Sequence, residues 1–200
     1  MDSLKLEMFR EPKRREIING KIYLMAGATD NHIEAVGNLF FIFKNYLRGK
    51  KCRVFGENYQ VRFDKESREI LPDIKIVCDP NKIKRTHILG APDLIIEVLS
   101  ENTENRDKGE KKDLYEKYGV KEYWLVDTNS KKIEVYLLKN DKYTLDYIYK
   151  HYSEEEIVEI EEDDDEENEE KKRIKITTIK TSLYGDELII NIADIFENIY

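Results

Sequence analysis

The chain has 200 residues, 40% hydrophobic and 38% charged, with a net charge of −8, which suits one α/β domain and is short for two. No apolar run reaches the ~20 residues of a membrane-spanning helix, and the first residues lack the apolar core of a signal peptide. Cys52 and Cys78 provide neither a disulfide framework nor a cysteine zinc site, so we expect both to pack as thiols in a reducing, cytoplasmic setting.

The first predicted elements are a hairpin and a helix. Two short strands lie within Arg15–Met25 on either side of Asn19-Gly20, a pair typical of two-residue hairpin turns. Hydrophobic residues at helical spacing then predict a helix over about Asn31–Leu47, capped by its first residue. His32 lies beside that cap, where a histidine is more often a helix residue than a metal ligand.

Two strands are predicted next, at Arg53–Phe63 and Glu69–Asp79. In the first, Glu57 shares the parity of the apolar residues, so it points with them or lies at their edge. In the second, Asp73 follows a proline at the start of an apolar run. Both strands therefore bring a carboxylate to an apolar face.

The strongest strand signal is the segment Pro92–Ser100. Its apolar run is continuous and rich in β-branched residues, which is typical of a central strand buried on both faces. Glu97 interrupts the run, and it shares one face with Asp93 because side chains alternate along a strand. A buried carboxylate is normally paired with a cation or bound to a metal.

A helix is predicted over about Glu104–Tyr118, with Gly119 at the position that follows a helix end. On this helix Asp107, Lys111 and Tyr115 are four residues apart and therefore line one face. A solvated Asp–Lys pair beside a packed tyrosine also explains that spacing.

The remaining third of the chain is predicted to be mainly β-strands and acidic sequence. Strands at Glu122–Asp127, Lys132–Leu138 and Lys142–Tyr149 form an antiparallel meander, and further strands are predicted at Ser153–Ile160, Arg173–Thr181 and Glu187–Ile190, before a short helix within Asn191–Ile199. Glu154–Glu170 holds 13 acidic residues and no Lys or Arg, which leaves 34 basic and 29 acidic residues, a net +5, elsewhere. We expect a single domain over residues 1–200 with a flexible acidic insertion at about 161–170.

The carboxylates predict a metal site if the strands that carry them are neighbours. Asp73, Asp93 and Glu97 would then bring their oxygens together, and hard oxygen ligands suit Mg²⁺ or Mn²⁺. A lysine beside them would activate a water nucleophile and stabilise charge on a phosphate. Lys111 is the first candidate and Lys75, two residues after Asp73, is the second.

The order and spacing of these residues resemble the Uma-two family of restriction endonucleases, within the PD-(D/E)XK nuclease superfamily. The similarity rests on Pro72-Asp73, Pro92–Ser100, Asp107, Lys111, Tyr115, Gly119-Val120 and Glu122–Asp127, with Glu16, Asn19-Gly20, Met25 and His32 upstream. It covers most of the chain.

The resemblance implies a restriction-endonuclease-like core, a mixed β-sheet flanked by helices, to which the meander is added. It implies a Mg²⁺- or Mn²⁺-dependent endonuclease that hydrolyses DNA, with Asp73 and Glu97 binding the metal. Where the superfamily has Glu-X-Lys, this sequence has Glu97-Val98-Leu99, so Lys111 on the next helix is expected to supply the missing amine. Many such nucleases act as homodimers, although no feature of the sequence supports one.

Two other hypotheses fit the same residues. Leu99 in place of lysine, together with the acidic tract, is compatible with a binding module for nucleic acid or protein that has lost catalysis. A structural domain whose acids form ion pairs is the other alternative, and in that case neutralising the acids lowers stability without any effect of metal.

Overall fold

The computed structural model describes residues 14–25, 27–163, 165 and 167–200. The strands are β1 (Arg15–Ile18), β2 (Lys21–Leu24), β3 (Arg53–Gly56), β4 (Gln60–Arg62), β5 (Ile74–Val77), β6 (His87–Leu89), β7 (Leu94–Val98), β8 (Glu122–Asp127), β9 (Lys132–Lys139), β10 (Lys142–Lys150), β11 (Thr178–Lys180) and β12 (Ile189–Asn191). The helices are α1 (Asp30–Tyr46), α2 (104–117), α3 (Glu154–Glu162), α4 (Glu169–Arg173) and α5 (Ile192–Ile195). Among the described residues, no helix combines the length and apolar character needed to cross a membrane.

The described residues build one six-stranded sheet in the order β10-β9-β8-β7-β5-β3. The β7–β8 pair is parallel and its neighbours in the sheet are antiparallel, so the sheet is mixed. Strands β8, β9 and β10 form the predicted meander. Ile74 of β5 lies opposite Ile96 of β7, and this register decides which carboxylates become neighbours.

The sheet is buried on both faces. Helix α1 packs on one face, where Leu39 and Phe43 join Ile74, Ile96 and Trp124 in one core. On the other face, Leu114 and Tyr115 of α2 pack with Ile95, Tyr123 and Leu125. Because alternate residues of β7 enter different cores, its sequence is continuously apolar. The predicted fold class, a mixed sheet flanked by helices, is confirmed.

The hairpin and the first helix begin as local sequence dictates. Asn19 and Gly20 both have positive φ angles, 49° and 78°, as a two-residue turn that matches strand twist requires. Thr29, rather than the predicted Asn31, caps α1 by accepting the His32 N–H. The Asn31 side chain instead exchanges hydrogen bonds with the backbone of Tyr200.

Helix α2 changes its winding along its length. It is α-helical over Glu104–Arg106, has the wider π-helical turn over Asp107–Lys111, and returns to α-helix over Lys112–Lys117. Gly119 has a φ of 79°, which confirms its predicted position after the helix end. The π turn was not predicted, and such turns are frequent at functional sites.

The predicted strand Arg53–Phe63 is divided into β3 of the six-stranded sheet and β4, which pairs with β6. Other wrong assignments fall in polar segments near the end of the chain. The predicted strand Ser153–Ile160 is helix α3, because Ser153 and Glu156 form a reciprocal capping box. Arg173 ends helix α4 instead of opening a strand. The predicted insertion at 161–170 supplies the end of α3 and the start of α4, while residues 164 and 166 lie outside the described residues. The flexibility of this insertion stays a prediction.

The two cysteines form a disulfide, so the expectation that they pack as thiols is wrong. Arg53 of β3 pairs with Val77 of β5, and the next residues outward in that register are Cys52 and Cys78. Their Cα atoms are 4.0 Å apart and their sulfur atoms are bonded. Sequence separation concealed this contact, because the two residues become neighbours only when β3 and β5 pair.

Candidate active site

Asp73 and Glu97 are neighbours across the β5–β7 pair. Their positions extend the register that sets Ile74 opposite Ile96. Glu97 Oε2 accepts a 3.4 Å hydrogen bond from the Asp73 backbone N–H, and Asp73 Oδ2 accepts one of 2.7 Å from the Val98 N–H. Each carboxylate is thus fixed by the backbone of the other strand.

Lys111 joins these strands to helix α2. Its Nζ lies 3.0 Å from Glu97 Oε1 and 3.4 Å from Glu16 Oε2. Asp107 Oδ1 is 3.1 Å from the same Nζ, although outside hydrogen-bond geometry. Tyr115 donates a 2.6 Å hydrogen bond to Glu97 Oε1. The predicted face of α2 therefore converges on Glu97.

Burial and the neighbouring charges have opposite effects on the pKa values of Glu97 and Lys111. Burial raises the pKa of Glu97 well above its usual range, and the Lys111 charge opposes that shift. Burial lowers the pKa of Lys111, but the carboxylates of Glu97, Glu16 and Asp107 outweigh it and hold the pKa well above the usual value. Lys111 therefore remains a cation.

The cluster opens onto a cleft of about 290 Å³. The side chains around it include five acids, Glu16, Glu57, Asp73, Glu97 and Asp107, together with Arg14, His32, Arg106 and Lys111. The acids outnumber the basic side chains, and burial raises the pKa of both Glu97 and Asp107. A divalent cation beside them would favour their charged forms.

Lys75, the second predicted lysine, faces the protein interior. It is fully buried, and its Nζ donates a 2.6 Å hydrogen bond to the Pro72 carbonyl oxygen. Burial lowers the pKa of Lys75 to about 7, against the opposing effects of Glu97 and Asp73. It is absent from the side chains around the cleft.

Asp93 lies at the other end of β7, which corrects its expected place among the metal ligands. Four residues separate it from Glu97, about 13 Å along a strand. Its Oδ2 accepts the Cys78 N–H at 2.8 Å and its Oδ1 accepts Lys121 Nζ at 2.8 Å. The two residues do share a face, but alternation sets only the face and not the position along it.

Two residues at the cleft were not among the site residues predicted from the sequence. Glu16 is buried, and its Oε1 accepts the Leu71 N–H at 2.8 Å. His32 Nε2 lies 3.4 Å from Asp73 Oδ1. Burial lowers the pKa of His32, but Asp73 and other acids outweigh that effect and raise it. Glu57, predicted at an edge, lines the cleft and pairs with Arg14 at 3.1 Å.

The site fits a cation that is held only partly by protein. Within the described ranges, no group of three or more His, Cys, Asp or Glu side chains is arranged to hold a metal ion. Mg²⁺ commonly takes one or two carboxylates and completes its shell with water and phosphate oxygens. Asp73 and Glu97 provide such a pair at the wall of the cleft.

Two relatives from Synechocystis sp. resemble the chain over most of its length. The uncharacterized protein slr1290 is 29% identical, and the alignment covers 76% of this chain and 79% of that protein. The uncharacterized protein sll1609 is 25% identical over 65% of this chain and 75% of that protein.

A solved structure shares the fold. The crystal structure of "a putative nuclease belonging to DUF820" from Anabaena variabilis superposes with a TM-score of 0.67 at 18% sequence identity, and the match covers 95% of each chain. At that identity the likeness shows the fold alone. The sequence profile of the Uma2 family, described as "Putative restriction endonuclease", matches residues 2–173. This confirms the resemblance noted above, and the chain belongs to the Uma2 family.

Proposed function

We propose that the protein is a divalent-metal-dependent endonuclease that hydrolyses phosphodiester bonds in DNA. The observation that carries the proposal is the cross-strand pair of Asp73 and Glu97 at the wall of a cleft, with Lys111 3.0 Å from Glu97. Family membership supports a nuclease, and the surplus of buried carboxylates supports a metal.

In this proposal Asp73 and Glu97 hold Mg²⁺ or Mn²⁺. When bound, the cation supplies Lewis-acid chemistry, stabilising charge on the phosphate and activating the attacking water. The backbone N–H groups of Val98 and Asp73 fix the two carboxylates in advance, so little ordering is left for the moment of binding. Arg14 and Arg106 at the cleft supply positive charge for a polyanion.

Lys111 acts as a permanent cation in this site. Because its pKa is raised well above the usual value, it does not serve as a general base at neutral pH. It holds Glu97 in place through the 3.0 Å contact and, at the wall of the cleft, offers positive charge to a phosphate. It thereby supplies the charge that Leu99, buried in the core, does not.

The test is cleavage of a closed circular plasmid with Mg²⁺ or Mn²⁺. A circular substrate has no ends, so its linearisation or nicking reports endonuclease activity. We expect cleavage by the wild type, and at least a hundredfold loss in Asp73→Asn and Glu97→Gln, because each variant removes one charged ligand.

Asp93→Asn is the matched control, because Asp93 also follows a proline before a strand but lies away from the cleft. It should cleave at a rate within a few-fold of wild type. An inactive wild type, or undiminished cleavage by the Asp73 and Glu97 variants, would contradict the proposal.

A binding module without catalysis is the second candidate. It is favoured by Leu99, which stands where the superfamily has lysine, and the three carboxylates around Lys111 are then a structural ion-pair cluster. For this candidate the wild type binds DNA in a gel-shift assay, yet cleaves none with either metal, and calorimetry detects no carboxylate-dependent Mn²⁺ binding.

A further inference from the structure

We propose that His32 is a nitrogen ligand of the divalent cation, alongside Asp73. This inference rests on the proposed metal site and names a ligand from α1 that completes the β5–β7 pair. Asp93, which the sequence placed among the metal ligands, lies at the far end of β7.

The distance between the two side chains suits a shared cation. His32 Nε2 and Asp73 Oδ1 are 3.4 Å apart. A cation at about 2.1 Å from each atom, the usual length of metal–imidazole and metal–carboxylate bonds, subtends an angle of about 108°. That angle lies within the range of ordinary coordination geometries, so the spacing of the two atoms suits one ion.

The position of His32 is fixed by the start of α1. Thr29 Oγ1 accepts the His32 backbone N–H at 3.3 Å, which anchors the first helical turn. The His32 and Asp73 side chains are only 14% and 9% exposed, and both line the cleft beside Glu97. A ligand pair that is already ordered loses little conformational entropy when the metal arrives.

A nitrogen ligand changes which metal the site selects. Imidazole is a poor ligand for Mg²⁺, which prefers an all-oxygen shell, and a better one for Mn²⁺, a transition metal that itself favours oxygen ligands. With His32 in the shell, the protein should bind Mn²⁺ more tightly than Mg²⁺. The variant His32→Gln should weaken Mn²⁺ binding at least about tenfold and Mg²⁺ binding less.

Pulsed electron paramagnetic resonance on the Mn²⁺-loaded protein tests the ligand directly, without any measurement of activity. We expect nitrogen hyperfine coupling from a bound imidazole in the wild type, with a pattern that changes when histidine is labelled with the heavy nitrogen isotope. The other two histidines, His87 and His151, are absent from the cleft. His87→Gln and His151→Gln should therefore keep the coupling, and His32→Gln should lose it.

The outcomes separate this inference from the proposed function. Bound Mn²⁺ without histidine coupling, or coupling that persists in His32→Gln, overturns the ligand and leaves the metal site intact. Absence of Mn²⁺ binding by the wild type overturns both. The isotope experiment uses the wild type alone, so the test stands even if His32→Gln does not fold.

Discussion

Glu97 has two strong donors on one oxygen, and they differ in kind. Lys111 contributes an ion pair at 3.0 Å and Tyr115 a hydroxyl at 2.6 Å. Tyr123, on the neighbouring strand, instead donates to the neutral carbonyl oxygen of Asp107 at 2.9 Å. Hydrogen bonds to charged groups contribute about twice as much as neutral ones.

Removing these two hydroxyls should therefore have unequal effects. We expect Tyr115→Phe to lower the free energy of unfolding by about 1.5–3 kcal/mol, and Tyr123→Phe by about 0.5–1.5 kcal/mol. Urea denaturation in EDTA measures both. Equal losses would show that the charge on Glu97 does not strengthen its bond to Tyr115.

Lys75 makes stability depend on pH. Its folded pKa is about 7, whereas an unfolded lysine has a pKa of about 10.4. Between these values the unfolded chain holds a proton that the folded chain has released, so this residue's contribution to stability rises with pH and is least favourable below pH 7.

Relative to Lys75→Met, the wild type should gain about 1 kcal/mol of stability per pH unit from pH 7 to 10. Urea denaturation of both proteins across that range, with EDTA present, measures the difference. Parallel pH profiles would mean that Lys75 keeps its proton in the folded state.

Individual site residues could be predicted where a local sequence pattern also indicated that the residue is buried. Glu97 was conspicuous inside an apolar strand, and Lys111 followed from helical spacing. His32 was considered as a ligand but not chosen, because its contact with Asp73 joins α1 to β5 across about forty residues. Asp93 was misplaced for a different reason: alternation puts it on the face of Glu97, but four residues along one strand separate the two by about 13 Å.

At the scale of elements, two glycines on helices offer a matched pair. Gly37 lies in the middle of α1 with an exposed surface and no atom within 4 Å of an added Cβ. Gly119 follows α2 with a φ of 79°, a conformation that strains any residue with a side chain.

Alanine at these positions should have opposite effects. Gly37→Ala is expected to stabilise the protein by about 1 kcal/mol through helix propensity, and Gly119→Ala to destabilise it by about 1–2 kcal/mol. Thermal denaturation compares them with the wild type, and plasmid cleavage by Gly37→Ala should be unchanged. A loss of stability in Gly37→Ala would contradict this account.

Elements were predicted best where apolar periodicity was strong. Strand β8 has the predicted limits, and β7 and α2 lie where their patterns placed them. Helix α3 was mistaken for a strand because its few apolar residues set no clear period, and its capping box decided the outcome. No sequence pattern distinguishes the π turn of α2 from an ordinary helix. This turn nevertheless contains Asp107 and Lys111, whose side chains lie in the site.

For the molecule as a whole, the cluster of acids links metal binding to stability. A cation that binds the folded state alone, at a hundred times its dissociation constant, adds about 2.7 kcal/mol. For a chain of this size that corresponds to a rise of about 5–10 °C in the melting temperature.

We expect that rise when Mn²⁺ is added to the wild type and to Asp93→Asn, followed by differential scanning fluorimetry. Asp73→Asn should show little or none of it. An equal rise in all three proteins would indicate that the metal binds elsewhere, for example on the acidic tract.

The strand order of the mixed sheet determines how much of the site can be predicted from the sequence. Which residues of a strand share a face was predictable, because side chains alternate along every strand. The pairing of β5 with β7, and of Cys52 with Cys78, depends on contacts between distant segments that compete during folding. Residue identity therefore indicated the chemistry, and register decided which groups meet.

The two hydrogen bonds between backbone N–H groups and the carboxylates of Asp73 and Glu97 also provide spectroscopic probes of the site. The Val98 amide proton is held by Asp73 Oδ2 at 2.7 Å, and the Asp73 amide by Glu97 Oε2. Any ion that withdraws electron density from those carboxylates must alter both bonds. In a two-dimensional NMR titration, these two resonances should shift first and together, which would reveal the arrival of an ion in the absence of substrate.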